Sequence, residues 1–222
     1  QLQTFRTYYR FNDIDIDLLK KVKLNDLYAF MSFVSNERDN SYNARARKVA
    51  SLRSFFNYLT NKERLLKENP AIELESPKIL KKLPKYLNIE ESKKLLSSVK
   101  GKHAERDYAI LTLFLNCGLR LSELVGINLS HIKNNTLIVT GKGSKERAVP
   151  LNKACLEALE RYIKVRPVDG LKDKDALFIS ERKQRMSKET VQHVVKKYIR
   201  ESGLDPKRYS THKLRHTAAT LM

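Results

Sequence analysis

The sequence predicts a multidomain, mainly α-helical protein, with an N-terminal helical bundle followed by an α+β domain that carries a small antiparallel sheet. Three observations support this fold class. Apolar residues recur at helical spacing through the first quarter of the chain, a nearly all-apolar helix lies at its centre, and one hairpin pattern follows that helix. A chain of 222 residues is long enough for two modest cores. We place the domains at residues 1–72 and 87–222, joined by a linker at 73–86.

The composition is strongly basic. Lysine and arginine number 44 against 25 aspartates and glutamates, which gives a formal net charge of +19. Such an excess indicates a polyanionic partner, either nucleic acid or an anionic membrane surface. The chain has no run of about 18 apolar residues and no signal-peptide core, so we expect a soluble, cytoplasmic protein without a membrane partner. Its two cysteines, Cys117 and Cys155, form no CxxC pair and are predicted to be buried thiols, neither disulfide-bonded nor bound to zinc.

The N-terminal domain reads as three or four amphipathic helices, with the clearest at residues 4–11, 24–34 and 41–59. The third of these helices has Arg45, Arg47 and Lys48 in its first turns, where the helix dipole disfavours cations by a few tenths of a kcal/mol each. Arg53 follows further along. Two interpretations stay open, a solvated basic face and a surface that binds the DNA backbone.

A proline-punctuated, lysine-rich stretch follows this bundle. Pro70, Pro77 and Pro84 exclude one continuous helix, because proline lacks an N–H donor and restricts the residue before it. We therefore predict a basic, extended linker between the two domains.

The second domain is predicted to open with a helix from a capping box at Asn88 and Glu91 to about residue 99. The apolar helix covers residues 107–117 and ends at Gly118. Strands at 136–140 and 147–151 form a hairpin, and a short third strand is expected at 176–180. Further helices are predicted at 153–165, at 188–202 with Ser187 as N-cap, and after Ser210.

Arg120 follows the apolar helix directly and needs an anionic partner to offset its desolvation. Glu123, three residues later, would give a structural ion pair. A phosphate is the alternative, because the planar guanidinium matches its oxygens. This stretch alone leaves both partners open.

Two further segments carry candidate cations. Lys142 lies on the glycine-rich hairpin tip, which lacks the spacing of a Walker-type phosphate loop. Taken alone, a basic hairpin tip of this kind is more often simply solvated. His212 and Arg215 share one face at the start of the last helix, a favourable place for an oxyanion. His212 and His216 also have the spacing of a metal pair, but Lys213 stands where a zinc protease has glutamate and Arg215 would repel a cation. We therefore predict no metal and no cofactor.

Taken together, the motifs GLRLSEL at 118–124, GKGSKERAVPL at 141–151 and HKLRH at 212–216 resemble those of the tyrosine recombinases, the phage-integrase and Xer-type site-specific recombinases. Their order and approximate spacing also agree, and the resemblance covers almost the whole chain. It implies a SAM-like core-binding domain in front of a catalytic domain with the DNA breaking-rejoining enzyme fold. Double-stranded DNA is then the partner, and a homo-oligomer, a tetramer on DNA, is expected for the full-length protein.

The resemblance also implies roles for individual residues. Arg120 and Arg215 grip the scissile phosphate, Lys142 is the general acid, His212 assists at the phosphate, and Glu123 holds Arg120 in place. Such chemistry agrees with metal-free phosphodiester exchange, which needs fixed positive charge and a proton donor. The candidate DNA contacts outside this set are Arg45, Arg47, Lys48, Arg53, Lys145 and Arg147.

The sequence departs from the family at one point. The nucleophilic tyrosine is expected a few tens of residues after Arg215, and residues 216–222 contain no tyrosine. Tyr209 precedes His212 and is interpreted as a packing residue. We therefore expect a fragment that binds DNA without cutting it. The alternative is a non-catalytic DNA-binding or regulatory protein on the same fold; a type IB topoisomerase-like enzyme would not need the N-terminal bundle.

Overall fold

The computed structural model describes residues 2–8, 16–78, 86–141, 143 and 145–221. The chain divides into two compact units, Gln1–Lys82 and Leu83–Met222. Half of the predicted linker, residues 79–85, lies outside the described residues, so the domain limits drawn from the sequence remain predictions. Within the described ranges, no helix is long and apolar enough to cross a membrane.

The first unit is built from helices. They are α1 (Leu2–Tyr8), α2 (Ile16–Lys21), α3 (Leu24–Asn36) and α4 (Tyr42–Asn57), the last followed by a π-helical turn at Tyr58–Lys62. The predicted helix at 4–11 is seen as far as Tyr8, and residues 9–15 lie outside the described residues. Ser41 begins α4 as its N-cap, because its hydroxyl accepts a hydrogen bond from the Ala44 N–H at 3.3 Å.

The core of this unit follows the apolar stripes of α3 and α4. Leu27, Phe30 and Val34 from α3 are buried together with Val49, Leu52 and Phe56 from α4. The ring of Phe5 packs edge to face against Phe30 and Phe56, with centroid distances of 5.1 and 6.3 Å. The helical periodicity of the sequence thus identified the buried face of both helices.

Among its described residues, the second unit combines six α-helices and a short 3₁₀ helix at Leu129–His131 with a small sheet. The helices are α5 (Ile89–Ser97), α6 (Ala104–Cys117), α7 (Leu121–Val125), α8 (Lys153–Val165), α9 (Lys188–Glu201) and α10 (Thr211–Leu221). The strands are β1 (Ile132–Lys133), β2 (Thr136–Thr140) and β3 (Glu146–Pro150), antiparallel in the order β1-β2-β3. The predicted capping box at Asn88 and Glu91 and the predicted N-cap Ser187 are both present.

Helix α6 is the centre of the second core. It is buried along nearly its whole length and packs against α8 and α10. Cys117 on α6 and Cys155 on α8 are both buried and free, with their sulfurs 3.7 Å apart. The prediction of buried, unbonded thiols is confirmed.

The third strand predicted at 176–180 is wrong. That segment makes only the isolated bridges Asn128↔Ala176 and Ile179↔Arg185, and the third strand of the sheet is β1. The guanidinium of Arg166 explains the difference, because it donates hydrogen bonds to the carbonyls of Ala176 at 2.6 Å and Leu177 at 3.1 Å. Those acceptors are therefore used by a side chain instead of a neighbouring strand.

Candidate functional site

The turn after α6 places Arg120 beside the last helix. Gly118 adopts a left-handed conformation, with φ of 55° and ψ of 36°, which ends α6. A methyl group at Gly118 would lie 3.5 Å from the Cβ of Ala218 and 3.8 Å from the carbonyl oxygen of Arg215. Close packing of this turn on α10 therefore brings the residue after it, Arg120 at the start of α7, next to Arg215.

Three of the residues singled out from the sequence line one pocket. The pocket has a volume of about 380 Å³. Its walls include Arg120 from the start of α7, together with His212 and Arg215 from α10. The remaining lining residues are Leu119, Leu121, Ser122, Lys188 and Thr211.

Lys188 is the lining residue of interest that sequence reasoning missed. It is the first residue of α9, directly after the N-cap Ser187. A cation at a helix start is disfavoured by the dipole, here as at Arg45, and this is the sequence signal that could have identified Lys188. With Lys188, the pocket has two arginines, one lysine and one histidine on its walls.

Glu123 holds the arginines of this region around one buried carboxylate. Its side chain is fully buried, and it accepts hydrogen bonds from the Arg120 backbone N–H and from Arg120 Nη1, each at 2.7 Å. Burial raises the pKa of Glu123, but hydrogen bonds from Arg147 and Arg120 outweigh it and lower the pKa to about 2. The ion pair and the anion-facing role considered for Arg120 are therefore compatible: only part of its guanidinium contacts Glu123, and its side chain is 52% exposed.

Arg147 has an intramolecular partner that the sequence did not indicate. Its Nη1 donates to Glu123 Oε1 at 2.6 Å and its Nη2 donates to Glu123 Oε2 at 3.0 Å. The pair is bidentate, the strongest geometry for an arginine and a carboxylate. The two residues are 24 positions apart, and only the placement of β3 beside α7 brings them together. Arg147, which was expected to contact DNA, thus donates hydrogen bonds from both of its terminal nitrogens to Glu123.

Arg215 is held less completely. Its Nη1 lies 3.6 Å from Glu123 Oε2, which is an ion pair but too long for a hydrogen bond. That Nη1 is buried and has no hydrogen-bond partner among the described residues. Burial and the nearby charge of Arg120 lower the pKa of the guanidinium. An unsatisfied buried donor beside a pocket is a position where an anion oxygen would be stabilised.

His212 is paired with a second histidine. Its Nε2 lies 3.0 Å from the Nε2 of His216, one helical turn on, and the rings meet edge to face. Desolvation, followed by the charges of His216, Lys213 and Arg215, lowers the pKa of His212 below its usual value of 6.5. The imidazole is therefore more readily neutral at neutral pH than a free histidine.

The hairpin tip can be followed only in part. Lys142, the predicted general acid, and Ser144 lie outside the described residues. Their neighbour Gly141 is close to the arginines, because a methyl group there would lie 3.8 Å from Glu123 Oε1 and 4.0 Å from Arg120 Nη1. Lys145 is exposed on the other side of the tip. The base of the hairpin thus lies against Arg120 and Glu123.

The basic residues predicted on α4 differ in their surroundings. Arg45 is half-buried, donates to the Ser35 hydroxyl at 2.7 Å and lies over the ring of Tyr42 at 4.4 Å. Lys48 is half-buried. Arg47 and Arg53 are exposed. A role in DNA contact remains a prediction for all four, and Arg45 has partners within the protein.

Tyr209 is a packing residue, as the sequence indicated. Its side chain is only 3% exposed, and its hydroxyl donates to Glu91 Oε1 at 2.8 Å. Burial and this contact raise the pKa of its phenol.

Comparison with known proteins adds relatives to this geometry. The model described as the phage integrase family matches residues 85–222. The tyrosine recombinase XerC of Caldanaerobacter subterraneus subsp. tengcongensis is 61% identical over 211 residues, which cover 95% of this chain and 60% of that protein. The tyrosine recombinase XerD of Proteus mirabilis is 40% identical over 204 residues, covering 88% of this chain and 64% of that protein. The chain thus spans about three-fifths of the length of these curated relatives.

Solved structures agree in fold. The XerH site-specific recombinase, in a post-cleavage complex with a palindromic difH substrate, has a TM-score of 0.77 at 24% identity, covering 98% of this chain and 65% of that chain. A lambda integrase (75–356) dimer bound to a COC' core site has a TM-score of 0.73 at 18% identity, covering 99% and 80%. The predicted fold class, mainly helical with a small antiparallel sheet in the recombinase catalytic domain, is confirmed.

Proposed function

Since this chain belongs to the phage integrase family of tyrosine recombinases, we propose that the protein is a site-specific DNA recombinase. It would cut and rejoin DNA through a 3′-phosphotyrosyl intermediate, with the pocket of α7 and α10 as the place where the scissile phosphate binds. We propose the full protein to act in the cytoplasm, as a homo-oligomer that is a tetramer on DNA.

The observation that supports this proposal most directly is the buried Nη1 of Arg215. It has no hydrogen-bond partner among the residues that the structure describes, and Arg120 and His212 line the same pocket. A non-bridging phosphate oxygen supplies the missing acceptor, and a second oxygen meets the exposed part of Arg120. Two guanidiniums fixed in this way stabilise the extra negative charge of a pentacoordinate phosphorus without a metal ion.

The proposed chemistry assigns one role to each group. A tyrosine hydroxyl gives up its proton to a base and attacks phosphorus, forming the bond to the 3′-phosphate while the bond from phosphorus to the 5′-oxygen breaks. The departing 5′-oxygen takes a proton, for which Lys142 is the donor by resemblance to the family. His212, whose lowered pKa favours the neutral imidazole, accepts or donates a hydrogen bond at the phosphate. Glu123 orients Arg120 through the contacts given above.

Double-stranded DNA is the proposed partner. The net charge of +19 supports it, and the related XerH and lambda integrase structures are complexes with their DNA sites. Exposed Arg47, Arg53 and Lys145, with half-buried Lys48, are the residues we propose to contact phosphates outside the pocket. Such contacts fix position on the duplex and carry no sequence information, so the recombination site is not predicted.

Binding by the 222-residue chain is the first test. Arg120→Gln and Arg215→Gln should each weaken binding to a duplex by about tenfold, measured by fluorescence anisotropy at fixed salt, because each removes a charge-assisted contact. Arg161→Gln is the matched control: that arginine is 51% exposed, pairs with Glu105 at 3.5 Å and does not line the pocket. Equal affinities for all three variants would count against the pocket as a phosphate site.

Covalent capture is the second test. Residues 216–222 contain no tyrosine, so we propose that the 222-residue chain, used as it stands, binds DNA without becoming attached to it. A nicked suicide substrate labelled on the strand that keeps the 3′-phosphate should give no labelled protein band under denaturing conditions. A covalent adduct with this chain would contradict the proposal.

The alternative function is a DNA-binding or regulatory protein that uses the same fold without chemistry. Lys142→Ala separates the two, tested in a protein that also carries the tyrosine. A recombinase should keep its DNA affinity and lose cleavage by about a hundredfold or more, since a general acid contributes at that scale. Loss of affinity instead would make Lys142 a backbone anchor and favour the alternative.

A further inference from the structure

The carboxylate of Glu123 is shared among three guanidiniums in unequal parts. Arg147 contacts both of its oxygens, at 2.6 and 3.0 Å. The side chain of Arg120 contacts Glu123 through Nη1 alone, at 2.7 Å from Oε1. Nη1 of Arg215 lies 3.6 Å from Oε2 and makes no hydrogen bond to it. The arginine that is not among the lining residues of the pocket therefore holds the carboxylate most completely.

This division leaves donors free where an anion would bind. The carboxylate has about four lone-pair directions, and Arg147 and Arg120 together direct four hydrogen bonds at them. Arg215 Nη1 then has no hydrogen-bond partner among the described side chains and backbone, although it is buried. Three positive charges against one negative also leave an excess of positive charge beside the pocket.

From this geometry we propose that Arg147 is a positioning residue, which occupies Glu123 so that Arg120 and Arg215 stay available to a phosphate in the pocket. The inference rests on the proposed function in taking a phosphate as the ligand, but it assigns Arg147 a task other than contact with DNA. Without Arg147, both oxygens of Glu123 lose a donor. Arg215 Nη1 would then close the remaining gap to Oε2, and Arg120 would turn further toward Oε1.

The same contacts tie the β-hairpin to the pocket. Arg147 belongs to β3, and its register partner on β2 is Val139, two residues before Gly141. Gly141 packs against Glu123 and Arg120 at the base of the hairpin tip. Arg147 therefore links the hairpin to the carboxylate that also holds Arg120. The position of the hairpin and the position of Arg120 thus depend on each other.

Inorganic phosphate is the probe, because it reports on the pocket and not on the wider DNA surface. In the 222-residue chain labelled with ¹⁵N-arginine, the Nε–H signals of Arg120 and Arg215 should shift on phosphate titration. Arg147→Gln should raise the dissociation constant by about tenfold, and it should shift the Arg215 signal even before phosphate is added. Arg161→Gln, which removes the same charge elsewhere, should leave both the affinity and these signals unchanged.

A double substitution tests whether the loss of affinity in Arg147→Gln depends on the carboxylate of Glu123. Glu123→Gln combined with Arg147→Gln removes one positive and one negative charge, so it restores the original excess and frees Arg120 and Arg215 from the carboxylate. Phosphate affinity in this double variant should return to within about threefold of the parent, although Arg147 is still absent. If the double variant binds phosphate as weakly as Arg147→Gln alone, the inference is overturned. It is also overturned if Arg147→Gln binds phosphate as tightly as the parent.

Two controls keep the outcomes separate. Arg120→Gln and Arg215→Gln should abolish the phosphate shifts, and if they do not, the proposed function fails. If they do abolish the shifts but Arg147→Gln has no effect, only the present inference fails. If circular dichroism shows Arg147→Gln to be unfolded, Arg147→Lys takes its place, because it keeps the charge and the aliphatic stem but contacts one oxygen only. Parental affinity in Arg147→Lys would then overturn the inference.

Discussion

His212 shows how neighbours set the charge of one side chain. Desolvation and the positive groups around it, His216, Lys213 and Arg215, hold its pKa below 6.5 in the free protein. A bound phosphodiester reverses the balance, because a negative charge favours the imidazolium and raises the pKa. In the proposed complex, binding of DNA and protonation of His212 would therefore be coupled through the same pocket.

This coupling predicts a pH dependence. With the pKa lower in the free state than in the complex, binding takes up a proton, so DNA affinity should rise as pH falls through the interval between the two pKa values. Each unit of difference is worth at most about tenfold in affinity. His212→Gln should lose this pH-dependent part of the affinity. His193→Gln, which replaces an exposed histidine on α9, should keep it. Anisotropy titrations between pH 8 and 5.5 measure both, and identical slopes in His212→Gln and the parent would refute the coupling.

The turn from α6 to α7 is the element that assembles the pocket. A helix apolar on nearly every side must be buried, and the core of the second unit surrounds it. Its end at Gly118 is consequently fixed, and so is the exit of Arg120. The contact of Gly118 with Ala218 and the Arg215 backbone then determines how close α7 comes to α10.

Gly118→Ala tests this element. An alanine at φ of +55° is strained by about 1 kcal/mol. Its methyl group would lie at an ordinary contact distance of 3.5 Å from Ala218, so a shift of the turn that relieves the backbone strain is what would move Arg120 relative to α10. Gly203→Ala is the matched control, since Gly203 also follows a helix with positive φ, but its nearest atom is the flexible tip of Lys94. Urea unfolding should show a similar loss of stability in both, whereas only Gly118→Ala should weaken phosphate binding. Weakened binding in both variants would mean that the effect comes from stability alone.

For the whole molecule, the formal charge of +19 determines how strongly the proposed binding to DNA would depend on salt. Lysines and arginines that replace condensed counterions on the phosphate backbone make binding depend on salt. This term belongs to the surface as a whole and does not distinguish one DNA sequence from another.

Salt titration measures that term. The logarithm of the association constant should fall linearly with the logarithm of salt concentration, by about 0.9 for each phosphate contacted. Arg47→Gln, at an exposed position on α4, should make this slope shallower by the value of about one phosphate contact. Arg161→Gln should leave the slope unchanged. A slope near zero for the parent chain would argue against contact between its basic surface and the DNA backbone.

Local patterns in the sequence determined most of the helices. Apolar spacing identified the buried faces of α3 and α4, and short-range signals located the capping box at Asn88, the N-cap Ser187 and the end of α6 at Gly118. These features depend on residues within one or two turns, so they can be read without the fold. The same reasoning failed at residues 176–180, where Arg166 occupies the carbonyls that a neighbouring strand would need.

Motif matching also brought Arg120, His212 and Arg215 forward as one set, and only the tertiary structure placed them around a single pocket. Only the tertiary structure showed that Lys188 lines the same pocket and that Arg147 pairs with Glu123, which is 24 residues away in the chain. The physical reason is that hydrophobic burial is encoded locally, residue by residue, whereas the partner of a charged side chain is decided by which distant elements pack together.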